Sequence, residues 1–319
     1  MYFLSKMSIN NRKEFSPLEC ELQILKCYDW KTIVIPDTCI NLQDLDCHNC
    51  KTVVISNNCK NLKKINCSNC KTVVIPDSCV NLQELICSNC EDIVIPSTCV
   101  NLKKLNCNQT EIVIPNTCVN LEELDFSCCG NNEIPKTCVN LKKINYYNEN
   151  SHRTLIIPDT CVNLEKLEFS SCENIVIPET FVNLQELHCF NCTSIVIPKT
   201  CVNLKTIYCH SCVDIMIPET CINLKTIDCR CCEDIVIPET CVNIEKIVID
   251  MYQDIDIPEN LLKIRFYTYN YNIDDDNLIL YEIHYQEYEN QRQRVKSSLL
   301  LNKIKISNDI INNVLKSLL

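Results

Sequence analysis

The chain has 319 residues and a formal net charge of −11, with 30 Lys+Arg against 41 Asp+Glu. It carries one glycine, Gly130, no alanine and 29 cysteines, where an average chain of this length would hold roughly twenty glycines. Phosphate-binding loops that need two or three glycines for close backbone approach are thereby excluded. The acidic balance argues against a nucleic-acid partner, which wants a basic face.

Residues 1–16 read as a short N-terminal cap. Met1 to Phe15 opens with four apolar-leaning residues broken by Lys6, with no apolar core or small-residue cleavage site of a secretory signal. No stretch approaches the ~18 apolar residues of a membrane span. The expectation is therefore a cytoplasmic chain with free thiols and no membrane contact. The odd cysteine count precludes complete internal pairing.

From residue 17 to 260 the chain repeats. All 12 prolines lie on one lattice of mostly twenty-residue steps, from Pro17 and Pro36 to Pro238 and Pro258, with Ser56 in the single vacancy. Each unit holds two extended pieces. In the first, Asn41-Leu42 to Leu45 and Cys47, apolar residues alternate at period two, as in a strand with one buried face. The second, Ile93-Val94-Ile95-Pro96, is a β-branched run ended by a proline that donates no ladder hydrogen bond. Two strands and two bends leave no room for a long helix. The units must stack as parallel coils ~4.8 Å apart.

The motif Leu42-x-x-Leu45-x-Cys47-x-x-Cys50 resembles the conserved half of the leucine-rich repeat, and Cys70-x-x-Val73-x-Ile75-Pro76 is similar to its β-rich, BspA-like branch. The wording, free of alanine and rich in Asn, Ile and Cys, also resembles leucine-rich-repeat proteins encoded by giant DNA viruses of amoebae. The resemblance implies a right-handed β-rich solenoid of about twelve units. It further implies a non-enzymatic scaffold that binds a protein partner on its concave strand face, in the host cytoplasm if the chain is viral.

The cysteines fall into three columns, typified by Cys39, Cys47 and Cys50, with Cys128 and Cys231 as extras. Cys189, Cys192, Cys209 and Cys212 have zinc-ribbon-like spacing and are the candidate metal ligands of a metal- or redox-responsive alternative. Core packing is the favoured reading, because Phe126, Tyr146, Phe169, Phe181 and Ile249 fill the same columns and none of them can ligate zinc. The column of Asn41, Asn61 and their successors reads as a ladder bonding turn backbone. After each Asn-Leu, acidic or neutral pairs alternate with lysine pairs, as in Gln43-Asp44 and Lys63-Lys64, so that opposite charges stack.

One stretch departs from that alternation. His188, Phe190, Tyr208, His210 and Arg230 occupy outward or near-outward slots on three consecutive coils, and aromatic residues and Arg are typical interface anchors. These five are the candidate partner contacts. The insertion before Pro158, with Tyr147, Asn150, His152 and Arg153, is a second, weaker candidate. No motif supports catalysis, and no catalytic residue or cofactor is expected.

Past residue 260 the repeat dissolves. Tyr267 to Asp276 reads as irregular, Glu287 to Lys303 as helix-compatible, and Ser307 to Leu319 as a capped helix with an apolar face of Ile310, Ile311, Val314, Leu315 and Leu318. That last segment faintly resembles the first helix of an F-box and suggests an adaptor as a further alternative. Residues 261–319 are thus expected to form a C-terminal cap and helical tail, on a monomer.

Overall fold

The computed structural model describes residues 21–127, 133–147, 156–232, 234–249, 257–261, 265–271 and 278–283. The Leu-x-x-Leu-x-Cys half of every described coil forms a short strand. These strands build one 14-stranded sheet that begins at Ile24–Lys26 and in which successive coils pair in parallel and in register. Leu45 lies opposite Ile65, and Ile65 opposite Leu85. The parallel solenoid expected from the twenty-residue lattice is thus present.

The Ile-Val-Ile-Pro halves form the opposite wall as two separate four-stranded sheets. One joins Thr32–Ile35, Thr52–Ile55, Thr72–Val74 and Asp92–Ile93. The other joins Asn174–Val176, Ser194–Val196, Asp214–Met216 and Asp234–Val236. Between them Ile112–Ile114, Ile134 and Ile157 are buried or edge-on but in no strand. Coil length is irregular there: the step to Pro115 is nineteen residues and the step to Pro158 is twenty-three. Unequal coils cannot hold backbone ladders in register on both walls at once.

The core is a single column of Leu, Ile, Val and Cys between the walls. All three cysteine columns are inside it, and Cys231 is the exposed exception among the described cysteines. Where the second column switches to aromatics, the rings follow one another in register, with Phe126 and Tyr146 at 4.9 Å between centroids.

Two polar ladders hold the bends. Asn61 donates from Nδ2 to the carbonyl of Ile40 on the preceding coil at 2.9 Å, and Asn81, Asn101 and their successors through Asn243 repeat the contact. This is the Asn column expected from the sequence, although its side chains stay exposed. The second ladder is a new finding. Among the described residues, the one before each third-column position has positive φ, from Asp29 at 63° through Asn49, Asn69 and Asn89 to Ser211 and Cys231 at 55°. Asn and Asp tolerate this left-handed region better than other non-glycine residues, and the chain has almost no glycine to spend there. Asn69 donates to Asn49 Oδ1, and Asn89 to Asn69 Oδ1, both at 2.9 Å.

The C-terminal end corrects one expectation. Arg265–Tyr271 is a strand, not an irregular segment. It extends the long sheet in parallel from Lys246–Val248, and Leu278–Ile283 then folds back against it antiparallel. Tyr, Phe and Thr fit a pleated surface, and the open sheet edge supplies the backbone partners that an isolated Tyr/Asn run lacks. The sheet therefore runs past residue 260. The expected N-terminal cap, the two C-terminal helices and the F-box-like text lie outside the described residues.

Candidate functional site on the concave sheet

Outward positions of the long sheet form files that run across the coils. In the first file the expected charge alternation produces inter-coil ion pairs: Lys64–Glu84 at 2.8 Å, Lys104–Glu123 at 2.6 Å and Lys166–Glu186 at 3.4 Å. Beside it, Glu122 receives both Lys103 at 3.5 Å and Lys142 at 2.9 Å. Exposed pairs of this kind contribute only ~0.2–1 kcal/mol each, so they serve register and solubility more than stability.

The central file carries the site. In chain order it reads Glu168, His188, Tyr208, Asp228 and Val248, each in register with the next. Phe190 and His210 are in register two residues further along the strands. A shallow cavity of about 440 Å³ opens here, lined by His188, Phe190, Tyr208, Cys209, His210, Asp228, Arg230, Lys246 and Val248. The structure thus brings all five sequence-predicted contact residues into one basin.

Its geometry is well packed. The Tyr208 and His188 rings meet edge to face at 4.7 Å and 82°, and Phe190 stands at 83° to His188 at 6.5 Å. Arg230 donates from Nε and Nη2 to the two oxygens of Asp228, both at 2.8 Å. That bidentate pair fixes the guanidinium plane. Lys246 closes the far rim, its Nζ 4.8 Å from the centre of the Tyr267 ring. His210 Nδ1 and Ser211 Oγ share a hydrogen bond at 2.9 Å.

His188 is the least comfortable member. Its Nδ1 lies 3.5 Å from Glu168 Oε2, and its Nε2 lies 3.6 Å from Glu186 Oε2. Nε2 is buried without a hydrogen-bond partner among the described residues. Burial, helped by the nearby Lys166, lowers the His188 pKa despite the opposing pull of Glu168 and Glu186. A depressed histidine binds its proton more weakly folded than unfolded. The associated stability is therefore complete above the unfolded value near 6.5 and declines as pH falls through it. NMR titration of the His188 imidazole should give a midpoint below 6.5; a midpoint at or above that value would contradict this placement. On the same coil group, burial and then the Glu168 carboxylate, to which its hydroxyl donates at 3.0 Å, push the Tyr147 phenol up to about 12.

Asp228, Lys246 and Val248 were not among the sequence candidates. They occupy the same outward slots as His188 and its neighbours on the next two coils, so extending each column by one or two units would have reached them. A second polar-aromatic cluster lies at the other end of the sheet, where Tyr28 stacks on His48 at 4.8 Å and His48 Nδ1 meets Asp46 Oδ1 at 2.6 Å. Of the insertion residues, Asn150, His152 and Arg153 lie outside the described residues.

The cysteines of the zinc-like spacing face the protein interior. Cys212 Sγ donates to the carbonyl of Cys189 at 3.3 Å, Cys209 Sγ to that of Asp228 at 3.2 Å, and Cys192 Sγ to that of Phe190 at 3.3 Å. Burial holds the Cys189 and Cys209 thiols well above the usual thiol range. In the first column it pushes Cys79, Cys99 and Cys221 up to about 12. Thiols as hard to ionise as Cys189 and Cys209 are poor nucleophiles and poor ligands, whereas hydrogen bonds with Cys189, Cys192 and Cys232 lower the Cys212 thiol. Among the described residues no three His, Cys, Asp or Glu side chains are grouped to hold a metal ion, and no helix is long and apolar enough to cross a membrane.

A parallel solenoid with a front strand on each described coil, a Leu/Ile-x-x-Leu/Ile motif beside it and one continuous long sheet has the fold of leucine-rich-repeat proteins. Solved structures agree. A leucine-rich-repeat protein of Leptospira interrogans superposes with a TM-score of 0.53 at 22% identity, over 74% of this chain and 69% of that one. An internalin, InlF, of Listeria monocytogenes superposes with a TM-score of 0.50 at 15% identity, over 79% of this chain and 88% of that one. No protein-family model and no curated protein sequence matches the chain.

Proposed function

We propose that the protein is a non-enzymatic recognition module that binds a protein partner on its concave sheet, with the His188–Arg230 basin at the centre of the contact. The observation that carries this reading is the convergence of His188, Phe190, Tyr208, His210 and Arg230 in one cavity on a continuous hydrogen-bonded sheet. Interface hot spots are enriched in aromatic residues and Arg seated in such concavities. Strands pre-organise these side chains, so little conformational entropy is lost on binding. The leucine-rich-repeat fold, widely used for protein binding, agrees with this reading by analogy only. The BspA-like repeat wording and its similarity to proteins of giant DNA viruses favour a cytoplasmic host protein as the partner class.

The test is capture with the intact chain as bait, against a bait carrying Tyr208→Ala and Arg230→Ala. A partner bound by the first should be lost by the second, with at least a tenfold rise in Kd once that partner is purified. Arg230→Ala leaves Asp228 without its guanidinium, so a Phe190→Ala bait with unchanged melting provides the control for folding. Undiminished binding by both variants would move the contact off the basin.

A further inference from the structure

Inward cysteines of neighbouring coils meet at a fixed offset in the chain. The left-handed residue before the third column, Asn89 at φ 56° and Ser211 at 55°, turns the next thiol back toward the second-column cysteine of the preceding coil. Cys90 Sγ donates to the carbonyl of Cys67 at 3.1 Å, and Cys212 Sγ to that of Cys189 at 3.3 Å, each across 23 residues. The two sulfurs of each pair are also hydrogen-bonded to each other, and all four stand as thiols. Cys47 with Cys70 and Cys209 with Cys232 touch at the same offset. The pairs differ in ionisation. Its bond with the Cys67 thiol lowers Cys90 against the effect of burial, and bonds with Cys189, Cys192 and Cys232 lower Cys212. Cys70 is instead pushed up to about 12, first by its bond with Cys47, and Cys232 is pushed up by its bonds with Cys209 and Cys212. The thiolate is the form of sulfur that attacks an oxidant.

We propose that Cys67–Cys90 and Cys189–Cys212 are two redox-active pairs, which hydrogen peroxide converts to disulfides between consecutive coils. Cys212 Sγ attacks one peroxide oxygen and the O–O bond breaks. The expelled hydroxide takes up the proton that Cys212 has released and leaves as water, and the sulfur becomes a sulfenic acid. Cys189 Sγ then displaces hydroxide from that sulfur, and its thiol proton completes the second water. Two thiols lose two electrons, and one peroxide is reduced to two waters. Cys90 and Cys67 play the same two parts in the other pair. Sulfurs already in contact need only side-chain rotation to reach the bond length of about 2.05 Å. Access suits an oxidant little larger than water. Cys209 lines the front basin and its thiol bonds to Cys189, so the second pair lies one side chain beneath the cavity; in the first pair Cys90 is 5% exposed. One pair lies in each of the two blocks backed by a four-stranded sheet, and between them Thr110, Phe126, Tyr146 and Phe169 stand in the same columns and cannot bridge. The second disulfide ties the coil of His188 and Phe190 to that of Tyr208 and His210, and so holds two sides of the basin together.

The test treats the reduced, folded full chain with millimolar hydrogen peroxide, blocks the remaining thiols with iodoacetamide and maps the bridges by peptide mass spectrometry. The wild type should lose two thiols in each block, as the bridges Cys67–Cys90 and Cys189–Cys212, and dithiothreitol should restore them. Cys212→Ala should remove the second bridge and leave the first, and Cys90→Ala should do the reverse, so the surviving bridge in each variant reports that the chain still folds. The wild-type map decides the matter even if a variant does not fold. Bridges within the Cys-x-x-Cys of one coil, a dominant Cys47–Cys70 or Cys209–Cys232 bridge, oxidation confined to the exposed Cys231, or a folded chain that forms no bridge would overturn the proposal.

Discussion

Thr110→Val should cost about 2–4 kcal/mol of unfolding free energy, although it exchanges one atom in a fully buried side chain. Thr110 occupies the third cysteine column on its coil, the slot filled by Cys50, Cys70 and Cys90 before it. Its hydroxyl donates to the carbonyl of Cys87 at 2.7 Å and accepts from the amide of Cys90 at 3.0 Å. The cysteines make the same two contacts more weakly: Cys50 Sγ donates to Cys27 O and accepts from Trp30 N, both at 3.4 Å. Cys70 and Cys90 donate likewise to Cys47 and Cys67. The column therefore needs a small group that both donates and accepts. Valine keeps the volume and removes both functions, stranding two buried backbone groups at ~1–3 kcal/mol each. Thr110→Cys should restore most of the loss, since a thiol does the work on neighbouring coils. Urea titration of both variants decides the matter; a valine variant within ~0.5 kcal/mol of wild type would show that the column is chosen for volume alone.

Phe181→Ala should cost about 3–5 kcal/mol, the range for deleting a buried aromatic. Phe181 stands in the first cysteine column and is fully buried. Its carbonyl accepts the Cys201 thiol at 3.6 Å, continuing the column's chain of sulfur donors. A coil touches only its neighbours, so the damage is local and the coils on either side keep their own contacts. Trp30, the only tryptophan, lies far along the stack. Its fluorescence should keep a native signal at denaturant concentrations where the far-ultraviolet signal has begun to fall. Coincident transitions would mean that the solenoid melts as one cooperative unit.

Much of this architecture is readable from the chain, because a solenoid writes each structural position twelve times over. The proline lattice marks the end of each back strand, and the Leu-x-x-Leu-x-Cys alternation marks the front one. A column that accepts Cys, Phe, Tyr and Ile must be interior. The concave basin follows from the same alternation, since counting outward slots places His188 beside Tyr208 without any knowledge of side-chain packing. Other features have weaker signals. The left-handed column of Asn49, Asn69 and Asn89 looks like one more polar repeat until φ is known. The run of valines on the back wall reads as β propensity, and only burial distinguishes a core face from a bare one. Thr110 breaks a cysteine column and so looks like decay of the repeat, when it reveals what the column is for. The Arg265–Tyr271 strand carries no repeat motif at all; it forms because a sheet edge is waiting for it.

The two walls of the solenoid differ as mechanical elements. The front is a single unbroken ladder of hydrogen bonds, stiff against stretching along the stack. The back is two plates with a gap at Ile112–Ile114, Ile134 and Ile157, where no backbone ladder carries tension. Such a body bends like a spine with one open joint: the front sheet acts as the neutral fibre and the gap opens or shuts behind it. Each degree of flexure there changes the radius of the concave face, and so the angle between the Asp46–His48 end and the Tyr208–Arg230 end of the same sheet. Any bending is thus concentrated at the three coils of the gap, while the four-stranded plates on either side keep their hydrogen bonds.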